Sequence, residues 1–168
     1  MTTSFTNDDL LLQRFYKHCT ERPNDVYLTQ PHSGGQTTDY TFAQVLEQAQ
    51  RMAAHLISLD LPRQSKIAML SKNCAHFFMA ELAIWMAGHV TVALYPTLNR
   101  ETVAYILDHS DAQLLFVGKL DTWDAELKHG VPEGLDRIAF PNAPKTDYVS
   151  WDDLSLIHIS EPTRRPII

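Results

Sequence analysis

The sequence has 168 residues, a formal net charge of −6, 45% hydrophobic residues and 20% charged residues. This composition is typical of a globular protein of about one domain and excludes a chain that is disordered throughout. The acidic balance argues against nucleic-acid binding, which usually depends on a basic stripe.

The beginning of the chain predicts a helix, a β-hairpin and a second helix. Asn7 or Asp8 can cap the first helix, which Pro23 ends. A strand, a glycine-containing turn and a return strand follow over residues 26–29, 33–36 and 37–40. Thr41 and Gln44 then match a capping box, and apolar residues recur at three- and four-residue spacing as far as residue 56, which predicts a long amphipathic helix.

From residue 66 onward the pattern predicts alternating strands and helices. Three continuous apolar runs, typical of buried strands, occupy residues 67–70, 90–94 and 113–117. The helices between them begin after the caps Asn73 and Asn99. The first of these helices ends at Gly88 and is apolar on nearly every face, so we expect it to be buried between two layers. This order of elements predicts an α/β fold with a parallel sheet that is covered on both faces.

After Gly118 the pattern becomes weaker. It is compatible with a short helix over 122–128 and with two further strands, over 137–140 and 149–151. The longest apolar stretch, 77–87, is shorter than the ~20 residues of a membrane span, so we expect no transmembrane segment. No basic segment leads into an apolar run near the first residue, so we expect no secretory signal.

The residues show no catalytic motif. No glycine-rich nucleotide loop, Cys-x-x-Cys or His-Glu-x-x-His pattern is present. Cys74 lies near a helix N-terminus and Tyr95–Pro96 follows a strand, but the reading we favour for both is simple packing. Lys145 follows Pro144 in what we interpret as an ordinary surface loop. The cysteine content, only Cys19 and Cys74, favours a reducing, cytoplasmic compartment.

The histidines show no metal-ligand spacing on any predicted helix, so we interpret them as surface or satisfied core residues. Those weighed individually are His18, His55, His76, His89, His109 and His129.

Three segments carry a resemblance to a known family. They are Thr38–Val45, Ser71–Leu98 and Glu101–Gly118. Together they resemble the beginning of the AMP-forming acyl-CoA synthetases, which belong to the adenylate-forming superfamily. The sequence Tyr-Pro-Thr-Leu at 95–98 is similar to the corresponding segment of bacterial long-chain fatty-acid–CoA ligases.

The resemblance implies a fold and a reaction. The fold would be a partial parallel-sheet layer of the family's N-terminal domain, preceded by a helix and a β-hairpin. The parent enzyme would join a fatty acid to AMP from ATP and pass the acyl group to coenzyme A, with Mg²⁺ on the ATP phosphates. A cytoplasmic location, with peripheral contact at the inner membrane left open, would fit.

The resemblance also limits what this chain can do. The family's Ser/Thr/Gly-rich phosphate loop, adenine pocket and C-terminal lysine have no counterpart here. We therefore assign no catalytic, cofactor-binding or metal residue, expect no cofactor in the chain itself and expect the chain to be inactive. Two alternatives stay open. One is a related enzyme for acetate, an aryl acid or an amino acid, and the other is a stand-alone, non-catalytic α/β binding domain.

The chain divides at residue 154. Residues 1–154 are interpreted as the N-terminal part of the synthetase domain, because Trp151–Leu154 still resembles a family segment. Residues 155–168 resemble translated sequencing-adapter sequence, and Pro162 and Pro166 would block a helix or an interior strand there. We predict a non-native tail, with a natural edge segment as the alternative.

Overall fold

The computed structural model describes residues 6–157. Its first part places a 3₁₀ turn and two helices around a hairpin: Asn7–Asp9, α1 (Leu11–Glu21), β1 (Val26–Pro31), β2 (Thr37–Thr41) and α2 (Phe42–Ser58). β1 and β2 pair in an antiparallel two-stranded sheet. The predicted capping box begins α2, because the Gln44 N–H donates to Thr41 Oγ1 at 3.3 Å and the Thr41 N–H donates to Gln44 Oε1 at 2.9 Å.

A five-stranded parallel sheet forms the second part. In chain order its elements are β3 (Lys66–Leu70), α3 (Ala75–Met86), β4 (Val90–Leu94), α4 (Arg100–Ser110), β5 (Ala112–Val117), a 3₁₀ turn (Leu127–Gly130), β6 (Asp136–Ala139), β7 (Val149–Ser150) and α5 (Trp151–Ile157). The spatial strand order is β4-β3-β5-β6-β7, and every pair is parallel. The predicted fold class, a parallel sheet preceded by a helix and a hairpin, is confirmed.

Both faces of the sheet are covered, as the continuous apolar strands predict. Ile67 and Met69 of β3 belong to a core formed with α2, α3 and α5. Ala68 and Leu70 face the other way and pack with α4 and the 3₁₀ turn. Because neighbouring residues of a strand point to opposite faces, a strand buried on both faces must be apolar throughout.

Two predicted helix caps are wrong. Neither Asn7 nor Asp8 caps α1, because both residues lie in the 3₁₀ turn and Leu10 occupies the cap position without a side-chain bond. Asn73 does not cap α3 either. The Ala75 N–H donates instead to Gln30 Oε1 at 2.9 Å, from a strand 45 residues earlier in the chain. Asn99 does cap α4, since the Thr102 N–H donates to its Oδ1 at 2.9 Å.

The prediction that β4 is a buried strand is wrong. β4 pairs with β3 alone within residues 6–157 and forms the edge of the described sheet. Val90 at its start is 44% exposed. The expectation that α3 is buried between two layers is correct for one side only, because Phe78 is exposed and Glu81 is half-buried.

The end of the chain also differs from its prediction. Residues 123–126 form turns and only Leu127–Gly130 is 3₁₀-helical, in place of the predicted helix over 122–128. Trp151 begins α5 and does not end a strand. This helix continues to Ile157, past the predicted boundary at residue 154, and residues 158–168 of the predicted tail lie outside the described residues.

Candidate functional site

The strand order contains one point at which the direction of the chain reverses. From β3 the chain passes through α3 to β4 on one side, and then through α4 to β5 on the opposite side of β3. In open α/β sheets, ligands bind outside the carboxyl ends of the strands at such a switch point. The candidate site of this chain therefore lies between two loops, 71–74 after β3 and 118–121 after β5.

These two loops are bonded to each other. The Lys119 N–H donates to Ser71 Oγ at 3.1 Å, and the Lys72 N–H donates to the Lys119 carbonyl at 2.9 Å. Ser71 Oγ in turn donates to the Lys72 carbonyl at 2.6 Å. An ion pair between the Lys72 ammonium and the Asp121 carboxylate closes the outer side. The protein's own groups therefore occupy the switch point.

Gly118 is required for this closure. A Cβ atom at this position would lie 2.1 Å from Ser71 Oγ and 2.6 Å from Cδ2 of Phe140. The Gly118 N–H donates to the Leu70 carbonyl at 3.0 Å, which joins the ends of β3 and β5. The absence of a side chain on Gly118 therefore leaves the room that Ser71 and Phe140 occupy above the strand ends.

The N-termini of α3 and α4 have their donors engaged. At α3, the Ala75 N–H is bonded to Gln30 and the Phe77 N–H donates to the Cys74 carbonyl at 3.1 Å. At α4, Asn99 binds one N–H and the Glu126 carboxylate accepts the Arg100 N–H at 3.1 Å. A helix N-terminus attracts anions, and at α4 a carboxylate of the chain already holds that place.

Cys74 is a buried thiol whose Sγ lies 3.9 Å from Ser71 Oγ. Burial raises the pKa of this thiol, and its hydrogen bonding with the Phe77 backbone and with Ser71 only partly offsets that effect. A thiol with a raised pKa is a poor nucleophile at neutral pH. The geometry thus agrees with the interpretation of Cys74 as a packing residue.

His76 lies in an aromatic enclosure that sequence reasoning missed. Its ring centroid is 5.5 Å from Trp151, 6.1 Å from Tyr40 and 6.2 Å from Phe140. Its Nδ1 is buried and has no hydrogen-bond partner among residues 6–157. Burial lowers the pKa of His76, and the Asp152 carboxylate opposes this effect. The available signal was that His76 is one of only two strongly polar residues, with Glu81, on an otherwise apolar helix.

The other candidate residues lie apart from the switch point or show no feature that points to a function. Tyr95 is 75% exposed, so the prediction that it packs is wrong, whereas Lys145 is exposed as a surface-loop residue should be. His89 is buried like His76, and His109 and His129 are exposed.

Within the described part of the chain, no three His, Cys, Asp or Glu side chains form a group that could hold a metal ion. No helix there is long and apolar enough to cross a membrane.

Comparison with known proteins gives a family match over most of the chain. The sequence model of the AMP-binding enzyme family matches residues 15–158. A long-chain-fatty-acid–CoA ligase of Mycobacterium bovis is 31% identical over 119 residues, which cover 70% of this chain and 20% of that protein. A 2-succinylbenzoate–CoA ligase of Listeria monocytogenes is 27% identical over 135 residues, which cover 75% of this chain and 27% of that protein.

The same fold occurs in a solved structure. The acetoacetyl-CoA synthetase from Streptomyces lividans superposes with a TM-score of 0.74 at 20% identity, covering 86% of this chain and 24% of that protein. At this identity the likeness shows the fold alone. The chain spans between 20% and 27% of the length of these three proteins.

Proposed function

Because the chain belongs to the AMP-binding enzyme family, we propose that it forms part of an adenylate-forming acid–CoA ligase. The observation that carries the proposal is the family match over residues 15–158, together with relatives that are CoA ligases. In the proposed reaction, a carboxylate attacks the α-phosphate of ATP and releases pyrophosphate. The acyl adenylate then passes its acyl group to the thiol of coenzyme A, and AMP leaves.

For the substrate, we propose a long-chain fatty acid. This choice of substrate is supported by the sequence of residues 95–98 and by the likeness to the mycobacterial long-chain-fatty-acid–CoA ligase. The likeness to the 2-succinylbenzoate–CoA ligase favours a second candidate, a ligase for another carboxylate such as an aryl acid.

We assign none of the contacts to ATP, Mg²⁺ or coenzyme A to the described residues. Mg²⁺-ATP needs free backbone donors, but α3 and α4 use their N-terminal donors internally, and one of the two lysines of these loops, Lys72, is paired with Asp121. What this chain supplies is a framework, in which the Ser71–Gly118 contact holds the ends of β3 and β5 together. No residue of it is proposed as catalytic.

We also propose a domain division and a location. Residues 1–154 form the N-terminal part of the ligase domain, and residues 155–168 are a non-native tail. The enzyme is assigned to the cytoplasm, with peripheral access to the inner membrane for a lipid substrate. Two free, buried thiols support a reducing compartment.

The deciding experiment extends the gene. We would read the genomic sequence downstream of codon 154, where a Ser/Thr/Gly-rich loop ending in Pro-Lys-Gly supports the ligase and a stop codon supports a stand-alone binding domain. The extended product would then be assayed for pyrophosphate release with a long-chain fatty acid, butyrate and 2-succinylbenzoate. Reactions without acid and without coenzyme A are the controls, and no release with any acid contradicts the proposal.

A further inference from the structure

The aromatic enclosure of His76 joins four elements and is complete within residues 6–157. His76 lies in the first turn of α3 and is only 7% exposed. Its ring faces Tyr40 of β2, Phe140 after β6 and Trp151 of α5, each within 6.2 Å between ring centroids. Nδ1 has no hydrogen-bond partner there, and an imidazolium would carry an N–H on both ring nitrogens. The enclosure therefore suits the neutral ring and offers no acceptor for an N–H at Nδ1.

The titratable groups around this ring only partly compensate for its burial. The Asp152 carboxylate of α5 attracts a proton to His76, but burial is the larger influence and lowers the pKa of the histidine. Tyr40 of β2 and Cys74, two residues before His76, carry no charge at neutral pH, because burial raises the pKa of both. The side chains that reach the enclosure from the end of β6 and from α2 are uncharged: Phe140 and Gln48.

Of the elements around His76, α5 is the one that can move away without breaking a pair of long strands. Tyr40 belongs to β2, which is paired with β1 and leads directly into α2. The Phe140 N–H donates to the Val117 carbonyl at 2.8 Å and so continues the pairing of β6 with β5. In contrast, α5 follows the two-residue strand β7, and its Trp151 indole N–H donates to Gln48 Oε1 at 3.1 Å. Elements held in few places open at a lower free energy than the core does.

We propose that α5 is a pH-sensitive clasp, which packs on His76 while the imidazole is neutral and opens when the imidazole takes up a proton. In the open form, the Trp151 ring leaves His76, water reaches the imidazolium, and the strands β3 to β6 stay paired. The closed form is favoured above a pH of about 6.5, the ordinary pKa of histidine. Because the open form binds one proton more than the closed form, the opening equilibrium constant rises as the pH falls below that value.

The test is native-state hydrogen exchange of the full 168-residue chain, followed by NMR at about pH 7.5 and about pH 5.5 over a series of low urea concentrations. The indole N–H of Trp151, one of only three indole signals, reports α5, and the backbone N–H of Met69 in β3 reports the whole fold. After correction for the intrinsic rate, we expect the Trp151 N–H to exchange up to about tenfold faster at the acidic pH, which lies about one unit below the ordinary pKa of histidine. Opening of α5 exposes little surface, so this exchange should depend weakly on urea, whereas that of Met69 should depend on it steeply.

Two variants identify the group that takes up the proton. His76→Phe keeps an aromatic ring in the enclosure and cannot be protonated, so the corrected exchange of the Trp151 N–H should become equal at the two pH values. The matched control is His109→Phe, at an exposed position of α4, which should keep the faster exchange at acidic pH. Circular dichroism checks the fold of both variants, and the exchange series of the unchanged chain needs no variant.

Three results would overturn the proposal. One is that the Trp151 and Met69 N–H groups exchange with the same protection and the same urea dependence, which would mean that α5 leaves only when the whole chain unfolds. Another is that the corrected exchange of the Trp151 N–H is independent of pH in the unchanged chain. The third is a pH dependence that survives in His76→Phe, which would assign the proton uptake to another group such as His89.

Discussion

At the scale of single residues, Gly118 shows how an absent side chain determines a contact. Ser71 and Phe140 occupy the space that a Cβ atom on Gly118 would need, at 2.1 and 2.6 Å. We predict that Gly118→Ala lowers the free energy of unfolding by about 1–3 kcal/mol, the usual cost of an overpacked core. Urea unfolding measures it, with Gly134→Ala as the control, because a Cβ there meets no atom within 4 Å. Equal effects of the two substitutions would contradict the prediction.

His76 carries a prediction about pH. Burial among Trp151, Tyr40 and Phe140 lowers the pKa of His76 in the folded chain, so the unfolded chain takes up the proton first as the pH falls. The contribution of the neutral His76 to the free energy of unfolding is therefore fully present above a pH of about 6.5. Below that pH it decreases, by at most about 1.4 kcal/mol per pH unit.

The substitution His76→Phe keeps an aromatic ring and removes this titration. We expect it to flatten the decrease in unfolding free energy between about pH 6.5 and about pH 5, measured by urea titrations at several pH values. His89, whose pKa burial also lowers, should leave a residual slope. His109→Phe, at an exposed position, is the control and should keep the full slope. A slope unaffected by His76→Phe would show that the enclosed ring does not titrate differently on folding.

At the scale of elements, the hairpin and α3 depend on each other through Gln30. This buried side chain accepts the Ala75 N–H at 2.9 Å, while its Nε2 donates to the Pro31 carbonyl at 2.7 Å. We predict that Gln30→Ala costs about 1–3 kcal/mol of unfolding free energy, since it removes a helix cap and leaves a buried donor unsatisfied. Thermal or urea unfolding tests this against Gln36→Ala, an exposed turn position. An equally small effect at both positions would mean that α3 does not rely on the hairpin.

The same pair of elements shows what the sequence can and cannot predict. The local patterns correctly predict the hairpin, α2 with its capping box, α4 with Asn99 and the order of strands and helices. The cap of α3 could not be predicted, because Gln30 reaches it across 45 residues of chain. For the same reason, the contact between Ser71 and Gly118 at the switch point is not visible in either segment alone.

Strand order is a second property that local patterns do not contain. The run Val-Thr-Val-Ala-Leu of β4 is as apolar as an interior strand, yet β4 lies at the edge of the described sheet. Apolar composition indicates how well a strand packs against the covered faces and does not indicate which neighbours it has. Trp151 is a further example, because the sequence places it at the end of a strand whereas it is the buried first residue of a helix.

At the scale of the whole molecule, we predict that the purified chain neither binds ATP nor releases pyrophosphate with a fatty acid. The N-termini of α3 and α4 are engaged by Gln30, Asn99 and Glu126, so the described part offers no free helix N-terminus at the switch point for a triphosphate. Titration calorimetry with Mg²⁺-ATP and a pyrophosphate assay measure the two properties. A complete 2-succinylbenzoate–CoA ligase with its own substrate is the positive control. Stoichiometric ATP binding by the chain would refute the assignment of its residues to a framework.

The strand order β4-β3-β5-β6-β7 has a consequence for synthesis on the ribosome. β3 and β4 emerge first and can pair at once. Each later strand then joins an edge that is already present: β5 adds to the free side of β3, β6 adds to β5, and β7 adds to β6. No strand of the described sheet has to enter between two that have already paired, so this sheet can grow outward in step with translation, without waiting for a distant segment or reopening a finished pair.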